Sequence, residues 1–261
     1  MPTFDKHPAG NFVWFELATT DPSAAKKFYS SFLGWEAQDM PMGPDMTYTM
    51  FRLKGRDTAG AYTMKAEDRE MGVPPNWLLY ISVDSADDTV AHTLEHGGNP
   101  MSPAFDIPNV GRMAVIQDPG AAIFAIFQPG HHKGVGIFGE DGAFCWADLQ
   151  TPDRERAEKF YNSIFGWQFL PGKDKDPGGY LHIKNGEQYI GGLPEPRDVR
   201  PSVLPHWLPY IQCTDCAAQT AKANQLGASI IVPATTVEGQ LSYSVIADPQ
   251  GAVFALFAPA H

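Results

Sequence analysis

The sequence is poor in cysteine, in positive charge and in long apolar runs, and each shortage closes off a class of protein. Three cysteines in 261 residues make no closed disulfide framework, so a reducing compartment and a cytoplasmic protein are expected. Cys213 and Cys216 form a C-x-x-C. No second pair completes a zinc site, and Cys213 continues an apolar strand, so a structural thiol is favoured over metal or redox chemistry. Lysine and arginine total 19 against 30 acidic residues, a net charge of −11. With no basic run, the electrostatic footprint of a nucleic-acid binder is missing. No apolar stretch is long enough to span a bilayer, and the opening MPTFDKHPAG lacks the apolar segment of a signal peptide. G-x-S-x-G, the P-loop and the Rossmann fingerprint are absent as well. What remains is 43% hydrophobic and 19% charged, the composition of a globular chain of about two domains.

What is present is a repeat. FVWFELATTD, from Phe12, returns as FCWADLQTPD, from Phe144. Between Trp14–Trp35 and Trp146–Trp167, 11 of 22 positions are identical at an offset of 132. Near each end DPGAAIFAIF, from Asp118, matches DPQGAVFALF, from Asp248, at 6 of 10 positions and an offset of 130. A domain-sized unit has been duplicated, which fixes the organisation before any single residue is read. The two units are placed at residues 1–133 and 134–261, divided by the Gly-rich stretch PGHHKGVGIFGEDG, which reads as a linker. His131 and His132 in that stretch lack the partners a metal site needs.

Each unit opens with a strand and then a helix. Asp21-Pro22 and Thr151-Pro152 each offer a side-chain acceptor for the N-cap and a proline for the first helical position. Ala25, Phe28, Tyr29 and Phe32 recur at helical spacing, as do Ala157, Phe160, Tyr161 and Ile164, and Gly34 and Gly166 suit the left-handed C-terminal position. Short strands follow, and the same βαβββ order then starts again at WLLYISVDS and at WLPYIQCTD. The chain therefore reads as four βαβββ modules, two per unit.

The strand–Asp–AAKKFYSSFLGW phrase, its copy RAEKFYNSIFGW and the closing DPxxxxxFxxF strands resemble the vicinal-oxygen-chelate superfamily of glyoxalases, bleomycin-resistance proteins and extradiol dioxygenases. PAFDIPNVGRMAVIQDP is similar to the tandem two-domain glyoxalase-like group typified by a mycobacterial culture-filtrate antigen. The resemblance implies an α+β fold in which paired modules build two half-open, eight-stranded cups, with the ligand inside. It also implies a divalent metal held by His and Glu from several strands. Carried over by position, the ligand sites fall on Trp14, Leu78 and Ala125, and on Trp146, Leu208 and Ala255, none of which donates to a metal. No metal and no cofactor is expected.

If Trp14 occupies a ligand position, strand alternation sends Trp14, Glu16 and Ala18 into the first cup, and Trp146, Asp148 and Gln150 into the second. The same rule points Tyr48, Met50, Arg52, Asn76, Leu78, Tyr80 and Ser82 into the first cup. Their counterparts in the second are Tyr180, His182, Lys184, His206, Leu208, Tyr210 and Gln212. Trp77 and Trp207 then belong to the core. A slip of one residue would exchange every assignment. The two tryptophans either stack on a ligand or plug the vacated metal cavity. Glu16 and Asp148 need partners inside a cup, and Arg52 and Lys184 are the candidate cations. His206, His182 and Glu16 are the candidate acid–base groups; the histidines occur only in the second unit. GAYTMKAEDREMG and EPRDVRPSVLP read as loops over the cup mouths. A metal-free binder of a small aromatic or amphipathic molecule is expected. The alternatives are a lyase or dioxygenase with a displaced metal site, a metal-free acid–base enzyme, or a protein whose cups are filled by their own side chains. A monomer with its units paired internally, or a homodimer, is expected.

Overall fold

The computed structural model describes residues 7–43, 46–172, 179–196, 203–237 and 241–259. The first six residues of the opening segment and the middle of EPRDVRPSVLP lie outside the described residues.

The first unit starts with strand β1 (Phe12–Thr19), helix α1 (Pro22–Leu33) and strands β2 (Glu36–Pro41), β3 (Thr47–Leu53) and β4 (Arg56–Thr63). A short helix α2 (Ala66–Glu70) leads to β5 (Asn76–Ser82), α3 (Ala86–Glu95), β6 (Asn99–Pro100), β7 (Phe105–Ile107), β8 (Gly111–Gln117) and β9 (Ile123–Pro129). The second unit runs β10 (Phe144–Gln150), α4 (Arg154–Phe165), β11 (Gln168–Pro171), β12 (Leu181–Asn185), β13 (Gln188–Leu193), β14 (His206–Gln212), α5 (Cys216–Gln225), β15 (Ser229–Val237), β16 (Leu241–Ala247) and β17 (Val253–Pro259).

In the first sheet the strand order is β2-β3-β4-β1-β5-β9-β8-β6, and in the second β11-β12-β13-β10-β14-β17-β16-β15. Each module closes by pairing its first and last strands in parallel, β1 with β4 and β5 with β9, while β1 and β5 join the modules antiparallel. The second unit repeats this scheme. One strand is additional: β7 pairs with β8, making the first sheet nine-stranded.

Local chemistry explains the helices. Asp21 accepts from the Ala24 amide at 3.0 Å and caps α1 ahead of Pro22. In the second unit the cap is Asp153, which accepts from the Arg156 amide at 3.1 Å, not Thr151-Pro152. Thr151 instead accepts from the Asp153 amide at 3.3 Å, as Thr19 does from Asp21. The 132-residue offset maps Asp153 onto Asp21, and an aspartate in that place outcompetes the threonine two residues earlier. Gly34 and Gly166 end the two helices at φ of 73° and 70°.

The two units share one core through reciprocal exchange. Phe144 inserts between Trp35 and Trp77 of the first unit, at ring distances of 5.9 and 5.1 Å. Phe12 inserts between Trp167 and Trp207 of the second, at 5.9 and 5.6 Å. The Trp35 indole donates to the Gly142 carbonyl at 2.8 Å, and the Trp167 indole to that of Gly10 at 2.9 Å. Phe15 stacks on Phe144 at 3.9 Å, so this face of β1 lies against the other unit as well as against helices. The stretch between the units is part of this core: Val135 and Ile137 are buried, and the amides of Val135 and Gly136 bond Val13 and Asp57 carbonyls. Both cups open on the sheet faces opposite this core.

Candidate functional site

Cross-strand register brings the alternating residues together. Trp14 faces Tyr80 and Glu16 faces Leu78 across β1 and β5; Trp146 faces Tyr210 and Asp148 faces Leu208 across β10 and β14. The strands therefore lie in the register that alternation predicts, and Trp77 and Trp207 are buried on the other face. Their indoles donate to the hydroxyls of Tyr29 and Tyr161.

In the second cup Asp148 is the centre. Its Oδ1 accepts from Tyr180 at 2.6 Å and from the Trp146 indole at 3.0 Å, and its Oδ2 accepts from Tyr210 at 2.7 Å. The Trp146 indole also donates to the Tyr180 hydroxyl at 2.9 Å. Three donors aimed at one carboxyl favour its ionised, acceptor-only form. Burial acts more strongly the other way and holds the Asp148 pKa above the ordinary carboxylate range. Burial, joined by the Asp148 charge, pushes Tyr180 and Tyr210 well above the ordinary phenol value. Both phenols therefore remain donors at neutral pH.

A glycine makes this geometry possible. Tyr180 lies so close over Gly192 on β13 that any Cβ there would overlap its hydroxyl, and Gly60 stands in the same relation to Tyr48 in the first cup. In that cup Tyr80 donates to Glu16 at 2.7 Å, Tyr48 also hydrogen-bonds Glu16, and the Trp14 indole donates to Tyr48 at 2.9 Å. Burial raises the Glu16 pKa despite the two phenols.

The candidate cations do not reach either carboxylate. Arg52 pairs with Asp57 at 2.7 Å and Lys184 with Glu187 at 3.3 Å. β-Bulges fall immediately beside both, between Phe51 and Arg52 and between Ile183 and Lys184, so simple alternation fails at those two places. Phenols take the partner's role: Tyr80 and Tyr210 from the neighbouring strands, and Tyr48 and Tyr180 from beyond β4 and β13.

The two cups differ in their filling. The second encloses a cavity of about 810 Å³ whose walls include Trp146, Asp148, Gln150, Tyr180, His182, His206, Leu208, Tyr210 and Gln212. Sequence reading missed Cys145, Tyr243, Val245 and Phe257 of the same wall. Tyr243 and Val245 share a face of β16 at period two, a signal that was available. Cys145 joins its neighbour Trp146 because the register of β10 shifts between Phe144 and Trp146. In the first cup His132 packs edge-on against Trp14 at 4.8 Å and lies 6.4 Å from Phe127, the counterpart of Phe257. Trp14 and Tyr80 are buried to 6% and 4% exposure, whereas Trp146 and Tyr210 stay half-buried.

His206 sits on the cavity wall with Nδ1 2.9 Å from the Leu204 carbonyl. A ring nitrogen facing a carbonyl carries the proton, so Nε2 is the acceptor. Burial holds this imidazole below its ordinary pKa, against the Leu204 bond. The rings of Trp146, Tyr180 and Tyr189 surround His182 at 6.0, 5.0 and 5.7 Å. Asn76 bonds the Pro74 carbonyl. Of the two segments read as mouth loops, the first contains α2, and Glu195 and Val203 of the second line the cavity. Among the described residues no group of three or more His, Cys, Asp or Glu is arranged to hold a metal ion. Asp148 is already committed to three donors.

The sequence profile of the Glyoxalase/Bleomycin resistance protein/Dioxygenase superfamily matches residues 11–125 and again 144–256. The chain belongs to this superfamily. It is 36% identical to "Putative glyoxylase CFP32" of Mycobacterium tuberculosis over 100% of this chain and 99% of that one. It is 28% identical to the anthracycline biosynthesis protein DnrV of Streptomyces peucetius, over 94% and 91% of the two chains. Among solved structures, the Mn(II)-bound glyoxalase of Novosphingobium aromaticivorans superposes with a TM-score of 0.64 at 14% identity, covering 96% of this chain and 82% of that one. The 2,3-dioxygenase LapB of Pseudomonas sp. KL28 gives 0.65 at 13%, covering 97% and 94%. At these identities the two structures establish the fold. Among the described residues no helix is long and apolar enough to cross a membrane.

Proposed function

We propose that the second cup binds a planar aromatic or amphipathic small molecule, without a resident metal. The observation that carries this reading is the cavity of about 810 Å³, walled by rings and apolar side chains around a few convergent polar groups. Trp146, Tyr180 and Tyr210 supply ring faces and hydroxyls, and His206 supplies one acceptor. The relative named for anthracycline biosynthesis supports a fused-ring ligand. In this reading residues 1–133 and 134–261 are two units of one cytoplasmic chain, paired internally as a monomer. The first cup, with Glu16, Tyr48 and Arg52, has a structural role.

Native mass spectrometry of the purified full chain tests the reading. It should show an organic ligand, co-purified or added, at one per chain and no stoichiometric divalent metal. About one metal ion per unit, whose removal by chelator abolishes an activity, would overturn it.

A second reading is favoured by one observation, the Nε2 acceptor of His206 on the cavity wall beside His182 and an ionisable Asp148. These groups suit a metal-free acid–base enzyme, and the glyoxylase name of the mycobacterial relative suits a lyase. Turnover of a bound ligand that is lost in His206→Gln, with binding retained, would place this reading first.

A further inference from the structure

Asp148, Tyr210, His206 and Glu195 in the second cup share one bias, against which the amides of Gln150 and Gln212 are the neutral donors of the wall. Asp148 has about four lone-pair sites, of which Trp146, Tyr180 and Tyr210 fill three. The Tyr210 hydroxyl donates its hydrogen bond to the Asp148 carboxyl, and that polarisation makes its oxygen a stronger acceptor. His206 gives its proton to Leu204 and presents Nε2. Glu195 is offset by Arg154 at 3.1 Å, whereas Asp148 has only neutral partners. Among the described residues, no lysine or arginine lines the cavity.

We infer that the second cup selects hydrogen-bond donors: its ligand is an aromatic molecule bearing an ammonium or hydroxyl group, and the same ring system bearing a carboxylate is rejected. This deepens the binding reading and rests on it. A cationic or neutral donor meets Tyr210, the Asp148 charge behind it and His206 Nε2 with complementary sign. An anion would lose its hydration at a wall where the Tyr210 oxygen and His206 Nε2 face it as acceptors, beside a buried carboxyl that has only neutral partners.

The probes are 2-(aminomethyl)naphthalene, 2-(hydroxymethyl)naphthalene and 2-naphthoate, titrated into the full wild-type chain at pH 7 by calorimetry and by quenching of tryptophan fluorescence. The amine should bind most tightly, the alcohol next, and the naphthoate weaker than the amine by about tenfold or more. Equal affinities, or a preference for naphthoate, would overturn the inference and leave the binding reading intact. Failure of all three to bind would remove both. Asp148→Asn, checked for an unchanged melting curve, should bring the amine and naphthoate affinities together. If that variant does not fold, the salt dependence of wild-type amine binding replaces it: affinity should fall with added salt for the amine but not for the alcohol.

Discussion

The Tyr29 hydroxyl donates to Oδ2 of Asp248 at 2.9 Å, across 219 residues of chain, and Tyr161 returns the contact to Asp118 at 3.0 Å. Both carboxyls are buried and also accept backbone amides of their own turns. Removing either phenol leaves a buried acceptor short of a donor. Tyr29→Phe and Tyr161→Phe should each cost about 1–3 kcal/mol. Urea unfolding of the two single variants measures this; a loss within error of zero would show that the contacts between the units are not tight.

A fragment of residues 1–133 should be aggregated or unfolded. It would lack Phe144, which fills the space between Trp35 and Trp77, and Phe254, which lies 6.0 Å from Tyr29. The large apolar surface so exposed favours self-association. A fragment that sediments as a stable monomer would contradict the shared core.

The tryptophans should respond oppositely to truncation. Trp14 is buried against His132, so Trp14→Ala should cost about 3–5 kcal/mol of stability. Trp146 is half-buried on the cavity wall, so Trp146→Ala should weaken ligand binding by about 1–3 kcal/mol. Melting curves paired with calorimetry of the 2-(aminomethyl)naphthalene probe separate the two. The reverse pattern would make Trp146 the plug.

Acid should act through His206. Its folded pKa is held below 6.5 by burial, so the native state binds fewer protons than the unfolded chain between the folded value and 6.5. Stability from this group is present above 6.5 and lost as pH falls through that window. Protonation also turns Nε2 from acceptor to donor, so affinity for a donor ligand should fall over the same range. His206→Gln should change the slope of both dependences, the contributions of His7 and Asp148 to stability remaining. If both profiles are the same in the variant as in wild type, His206 is not the titrating group.

Asp148 has the opposite sign. A carboxyl whose folded pKa is raised contributes stability that is full below 3.8 and is lost as pH rises through the folded value. The stability of wild type relative to Asp148→Asn should therefore decline as pH rises above 3.8 toward the folded value, followed by urea midpoints at each pH.

The duplication, the four modules and the two cup-facing rows were legible because all three are periodic. Trp14, Glu16, Trp146 and Asp148 needed only the two-residue alternation of a strand and one anchoring position. The partners of the carboxylates were not legible in the same way. Which side chain reaches Asp148 depends on the pairing of β10 with β14 and on how far Tyr180 leans across β13, and neither is written in a single strand. Bulges beside Arg52 and Lys184 broke the alternation that had assigned them. The stretch around Val135 looked like a linker because its glycines hide two apolar residues that enter the core.

Gly192 and Tyr180 constrain each other's history. Alanine at 192 cannot be accommodated while the Tyr180 ring lies over it, since both the hydroxyl and the ring carbon bearing it would be overlapped. The ring must therefore swing away or be lost on any mutational path that adds a methyl group there. In either case Asp148 loses a donor, and the selective value of the site changes with it. The same constraint binds Tyr48 and Gly60. After duplication, each cup could drift freely in its walls but not in this pair, so the carboxylate–phenol contact persists in both copies even where their contents have diverged.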